Sequence, residues 1–307
     1  MAKTASQITW RKYIWKNRYL YLMCVPGLVF LIIFKYIPMY GIMMAFQDFN
    51  FKKGIFGSPF NNFANFKQLF GSGKFYTVFT NSIVLSVTRL VISFPIPIIL
   101  ALLLNEIHAK AYKRTTQTLM YVPHFISWVV LGGIATNFLS MTDGLVNDII
   151  AAMGGTKINF LGSSEWFRTV IIVTNIWKEA GWGTIIYLAG LSAINPEYYE
   201  AATVDGATRW QCTRYITIPS LVSTIVVMLI LNVGSIMDAG FDQVLNLYNS
   251  AVYQTGDIID TYVYRYGLGD MKYSLATAVG LFKNVIAFVL VVGTNLIARR
   301  ISGEGIW

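Results

Sequence analysis

Chemistry needs convergent groups, and this chain offers few. Its two histidines, His108 and His124, and two cysteines, Cys24 and Cys212, have no metal-ligand spacing and give no disulfide framework. No paired carboxylates or Cys/His arrangement suits acid–base or nucleophilic catalysis, so no catalytic residue and no metal site is assigned. One phosphate loop is tempting, Gly71-Ser-Gly-Lys74. A P-loop needs a glycine five positions before its Gly-Lys pair and a Ser or Thr after it, where Gln68 and Phe75 stand. What remains is a scatter of polar residues in apolar sequence: Arg89; Trp177, Lys178, Glu179 and Trp182; Asn232 and Ser235 with Asp238; Thr277 and Asn284 beside Lys283. Groups like these are costly in apolar stretches and tend to face a bundle interior or a watery cavity. They are candidates for a lined pathway, not a reaction centre.

The elements that carry them are apolar helices. Of 307 residues, 55% are hydrophobic and only 13% charged, with mean hydropathy +0.54. So little charge cannot coat a soluble surface of this size. A bilayer core of about 30 Å needs roughly 20 apolar residues in a helix, and six stretches qualify: 19–46, 77–104, 119–139, 169–191, 216–238 and 275–298. The third lies in a charge-free run over 115–142 and the fifth in one over 215–237. Pro26 and Pro38, like Pro95 and Pro97, suggest kinks within spans. The first apolar run is too long for a secretory signal and no A-x-A-like site follows it, so it reads as a retained span. The expected architecture is an all-α integral membrane protein with six transmembrane helices over 19–298. A basic N-terminal segment, 1–18, and a short tail, 299–307, flank it.

Lysine and arginine set the orientation. With both termini inside, the cytoplasmic segments hold twelve of the 24 basic residues, among them Lys110, Lys113 and Arg114, then Arg209 and Arg214. Net charge is then +7 inside, 0 outside and +2 in the spans, so the formal +9 is mostly a topology signal. A nucleic-acid surface would gather those bases on one soluble domain, and no such domain exists.

One cytoplasmic loop, 195–219, carries local detail. Asn195 caps a helix opened by Pro196, and Glu197 faces the positive end of its dipole. The helix runs through Glu200-Ala201-Ala202 and stops at Gly206. Thr208 and Gln211 have capping-box spacing for a second short helix leading through Pro219 into the fifth span.

This loop resembles the EAA motif of ABC importer membrane subunits. That pattern is Glu-Ala-Ala, three residues, Gly, nine residues, Ile, one residue, Leu, Pro, and Glu200, Ala201, Ala202, Gly206, Ile216 and Pro219 stand at its spacing. Ile218 replaces the usual Leu, a swap of similar volume. Pro26-Gly27, the run 36–48, Asn65-Phe66 and the run 121–128 resemble the carbohydrate branch, within it the polysaccharide/oligosaccharide type.

The resemblance implies a type I ABC importer transmembrane domain in the plasma membrane, forming half of an oligosaccharide pathway. Implied partners are a second, similar permease subunit, two ATPase subunits that carry the ATP and Mg, an extracytoplasmic sugar-binding protein and membrane lipid. It also implies that Glu200, Ala201, Ala202, Asp205, Gly206, Ile216 and Pro219 form the coupling site, and that this chain binds no cofactor of its own. Sugars need aromatic faces and amide or charged groups, so Arg89, Trp177, Lys178, Glu179, Trp182, Asn232, Ser235 and Asn284 are the pathway candidates. The basic excess within the spans would suit an anionic sugar such as a uronate oligomer. Structural alternatives stay open: an Arg89–Glu179 pair, and Lys35 and Lys283 snorkelling or sealing a subunit interface. Asp257 and Asp260 read as a solvated loop or a cation site. A secondary transporter or channel half is the competing class, with intramembrane acids as ion sites.

Overall fold

The computed structural model describes residues 10–303 and 305. Among them every regular element is a helix, and the only extended pairing is an isolated bridge between Gln47 and Phe60. Four helices are long and apolar enough to cross a membrane: α1 (Arg18–Phe46), α2 (Gly73–Asn105), α7 (Arg209–Gly234) and α10 (Tyr273–Arg300). Between them lie α3 (Lys110–Phe125), α4 (Trp128–Phe138), α5 (Phe167–Ser192) and α6 (Glu197–Val204), with α8 (Phe241–Leu247) and α9 (Ile259–Tyr264) before α10.

Pro26, Pro38, Pro95, Pro97 and Pro219 do not end their helices. A π segment precedes each of three: Ile32–Tyr36 before Pro38, Arg89–Ser93 before Pro95, and Thr213–Thr217 before Pro219. Proline lacks an N–H and clashes with the carbonyl four residues back, and a widened turn relieves both faults.

The third expected span is not one helix. α3 and α4 meet at a bend of 100°, so the charge-free run is a broken span. Pro123 and an extended Ile126 stop α3, and the Ser127 hydroxyl accepts from the Val130 N–H to cap α4. The carbonyls that the break strands are filled from another helix. Lys178 Nζ on α5 donates to His124 O at 2.5 Å and to Ile126 O at 2.8 Å. Lys178 is thus a structural staple, buried at 6% exposure. Lys178→Met is expected to destabilise the chain by about 3 kcal/mol, because charged hydrogen bonds are lost and buried carbonyls orphaned. A lowered melting temperature of the detergent-solubilised protein would show this, and an unchanged one would refute the staple.

Helix α5 has 26 residues, about 39 Å of helix. Asn175, Lys178 and Glu179 at its centre keep it from being apolar enough to count as a span by composition. With the broken pair taken as one, the described residues supply five crossing helices by that measure, where six were expected.

The bundle packs around three apolar clusters. Ala101, Tyr187, Leu191 and Leu221 join α2, α5 and α7. Leu85, Ala135, Phe167, Ile171, Val244 and Leu247 join α2, α4, α5 and α8. Phe75, Val78, Ile259, Tyr262, Leu275 and Val279 join α2, α9 and α10. By contrast, none of the most apolar stretch of α1 is buried within the chain. The segment 239–274, expected as an outer loop, is itself folded and inserts α8 and α9 into the bundle.

Two of its acids, Asp257 and Asp260, are not solvated. Asp257 is buried and pairs with Arg265 at 2.5 Å, where the carboxylate outweighs the opposing effect of burial and raises the Arg265 pKa. Asp260 accepts from Lys283 at 2.7 and 2.8 Å, and burial still pushes its carboxyl up. Lys283 also meets Asp238 at 2.7 Å, so it neither snorkels nor waits for a partner subunit. Residues 1–9 of the basic N-terminal segment 1–18 lie outside the described residues, as do 304, 306 and 307 of the tail and the Trp10 side chain.

Candidate functional site

The loop 195–219 folds as its local chemistry dictates. Asn195 Oδ1 accepts from the Glu197 N–H at 3.1 Å, with Pro196 already in helical geometry. At the other end Gly206 takes φ +80°. The Ala207 N–H reaches Ala202 O at 2.9 Å and the Gly206 N–H reaches Thr203 O at 3.0 Å, the two bonds of a Schellman turn. Thr208 and Gln211 close a reciprocal capping box. Two links tie this elbow back to the bundle: Tyr199 Oη to Thr217 Oγ1 at 2.9 Å, and Arg209 to Glu106 at 3.8 Å. No residue of α6 is buried, and Tyr198, Val204 and Trp210 stand out as large exposed apolar groups. Glu200, Ala201, Asp205 and Gly206 are exposed with them, Ala202 and Ile216 half-buried, and Pro219 exposed at the start of the next span.

Two cavities open in the bundle. The first, about 440 Å³, lies among α2, α5 and α7, and its wall holds Arg89, Glu179, Trp182, Asn232 and Ser235. The second, about 830 Å³, lies among α8, α9 and α10 and includes Asn284 with Thr277 and Gly280. Asp238 and Gly240 belong to both walls, so the turn at the end of α7 is the septum between them. Six of the eight pathway candidates therefore face a cavity. Lys178 does not, being spent on the α3–α4 break, and Trp177 is half-exposed away from both.

The septum is tightly held. Ala239 and Gly240 both have positive φ, +44° and +76°. Ser86 Oγ donates to Ile236 O, and Arg89 donates to Gln243 Oε1. Gln243 Nε2 in turn donates to Ile171 O and Thr174 Oγ1, both at 2.7 Å. Arg89 thus pairs with Gln243, and the alternative of an Arg89–Glu179 salt bridge does not form. Glu179 meets His124 Nδ1 at 2.8 Å, and the His124 ring stacks on Trp182 at 4.4 Å and 3°.

A family model described as the binding-protein-dependent transport system inner membrane component matches residues 93–303. The chain belongs to that family. Among its curated relatives, protein LplB of Bacillus subtilis is 43% identical over 300 residues, covering 98% of this chain and 94% of the relative. The polygalacturonan/rhamnogalacturonan transport system permease protein YteP, also of Bacillus subtilis, is 44% identical over 292 residues, 95% of this chain and 91% of the relative. A solved bacterial ABC transporter involved in import of the acidic polysaccharide alginate aligns with TM-score 0.89 at 43% identity, over 95% of this chain and 98% of that one. The same score is reached, at 42% identity, against an alginate transporter in complex with its alginate-pentasaccharide-bound periplasmic protein.

The permease is therefore a multi-pass membrane component of an ABC importer, as the EAA pattern implied. The ion-gradient alternative loses its ground. Sequence reasoning missed the residues that hold the cavities, chiefly His124, Gly240, Gln243 and Asp260. His124 and Gln243 gave no periodic signal. The helical wheel of α5 did hold one: Asn175, Glu179 and Trp182 stand at i, i+4 and i+7, so they share a face that Trp177 leaves.

Proposed function

We propose that this chain is one of two permease subunits of an oligosaccharide importer, with six spans and both termini cytoplasmic. An extracytoplasmic binding protein delivers the sugar, and two separate ATPase subunits hydrolyse ATP beneath. The permease itself holds no nucleotide. The observation that carries the reading is the elbow at 195–219, a short exposed helix closed by a Schellman turn and rigidly continued into a membrane-crossing helix. A short helix seated in a groove passes rigid-body motion without a covalent link. Glu200, Asp205 and Gly206 with Ala201 and Ala202 form its gripping face, and Ile216 and Pro219 lead the motion into α7.

The cargo is assigned by likeness to the polygalacturonan/rhamnogalacturonan permease and the alginate importer. The two cavities are its stations, with Trp182 as an aromatic face and Asn232, Ser235 and Asn284 as hydroxyl partners. Purification of the tagged chain from native membranes should bring down a second permease and an ATPase. In vesicles, sugar-loaded binding protein should stimulate hydrolysis. A chain that purifies alone and moves sugar without ATP would overturn the reading.

A further inference from the structure

Three charged side chains line the first cavity: Arg89, Glu179 and Asp238. Both carboxylates already have cationic company. Glu179 Oε1 lies 3.7 Å from Lys178 Nζ, with His124 on its other oxygen, and Asp238 Oδ1 lies 2.7 Å from Lys283 Nζ. Arg89 has none. Its acceptor, Gln243, is a neutral amide pinned to α5, and among the described residues no carboxylate comes within 4 Å of the guanidinium. Its Nε is buried and donates to nothing. A half-buried arginine with no anion hydrogen-bonded to it is left short of partners, and a planar fork of donors is suited to a carboxylate.

The guanidinium is also held in place. A β-carbon at Gly240 would run into it, so the backbone of the septum closes over the arginine and leaves its remaining face to the cavity. Across the septum the second cavity has acidic residues but no Lys or Arg in its wall. Asp238, Asp242 and Asp260 line it, and of these Asp238 and Asp260 pair with Lys283. An anionic group is therefore repelled less in the first cavity, whose wall alone carries an arginine, than in the second.

We propose that Arg89 is the group that reads a carboxylate on the cargo, making the permease itself selective for uronate-bearing oligosaccharides. This rests on the reading of the first cavity as a station on the sugar pathway. The geometry of Arg89 is set by Gln243 and Gly240, which are positioning residues for it.

The test uses the complete importer in vesicles, with one binding protein throughout. The probes are galacturonate pentamers in the free-acid form and with increasing degrees of methyl esterification. Arg89→Gln is expected to lower uptake of the free acid about tenfold and to affect heavily esterified pentamers little. Arg89→Lys keeps the charge beside Gln243 but loses the two-pronged geometry, so the KM for the acid should rise several-fold with turnover nearly unchanged. It also serves if the glutamine variant fails to assemble. Equal losses along the whole series, or no loss anywhere, would overturn the assignment, as would wild-type uptake that ignores esterification. The importer reading fails separately, if loaded binding protein does not stimulate ATP hydrolysis in the wild type.

Discussion

Gly206→Leu in the assembled importer is expected to cut sugar uptake at least tenfold while ATP hydrolysis continues. The residue sits at φ +80°, and nothing lies within 4 Å of a β-carbon placed there, so the penalty is conformational and not steric. A leucine in the left-handed region costs about 1–2 kcal/mol, enough to favour opening the turn. The Ala207–Ala202 and Gly206–Thr203 bonds then weaken, and α6 loses its fixed angle to α7. A handle with a loose elbow can be gripped without moving the span above it. Gly206→Asn, whose side chain tolerates this conformation, should keep most of the uptake. Glu200→Lys attacks the same step differently. It reverses an exposed charge in the first turn at a helix cost of only about 0.3–1 kcal/mol, so a large uptake loss would report the partner's grip. Uptake per ATP hydrolysed is the decisive measurement. Normal ratios in both Gly206→Leu and Glu200→Lys would remove the coupling role from this loop.

The elbow was legible because its rules are local. Asn195, Gly206 and the Thr208–Gln211 box each satisfy backbone groups within five residues, and the sequence contains all the parts. The third span failed for the opposite reason. Hydropathy over 119–139 cannot register that Lys178, more than 50 residues on, supplies the hydrogen bonds that make a break at Ile126 tolerable. The same holds for charge. Lys283, Asp257 and Asp260 looked free or solvated because only the folding of the segment 239–274 against α10 brings Asp260 to Lys283 and Arg265 to Asp257. The pathway list fell between these cases. Counting neighbours along the chain drew in Trp177 and Lys178. The wheel of α5 would have kept Glu179 and Trp182 and added Asn175, and all three line the first cavity.

That dependence on non-local packing makes Gly181 the position where a small change should do most harm to the folded chain. Its ideal β-carbon would fall against the carbonyl oxygen of Met120 and within 2.6 Å of the carbonyl carbon. The obstacle is backbone, so no rotamer change relieves it, and α3 and α5 would have to separate. They meet there just before the α3–α4 break, where Lys178, one turn away on α5, must still reach His124 O and Ile126 O. Gly181→Val therefore loses the helix contact and the staple together, an effect of at least about 4 kcal/mol on the scale of core overpacking plus a broken buried network. The expected result is little or no monodisperse protein after detergent extraction. Gly293→Ala on α10 is the matched control, since nothing lies within 4 Å of its β-carbon and alanine favours helix by about 1 kcal/mol. If both variants extract and melt alike, the close approach of α3 to α5 is not what holds the broken span in place.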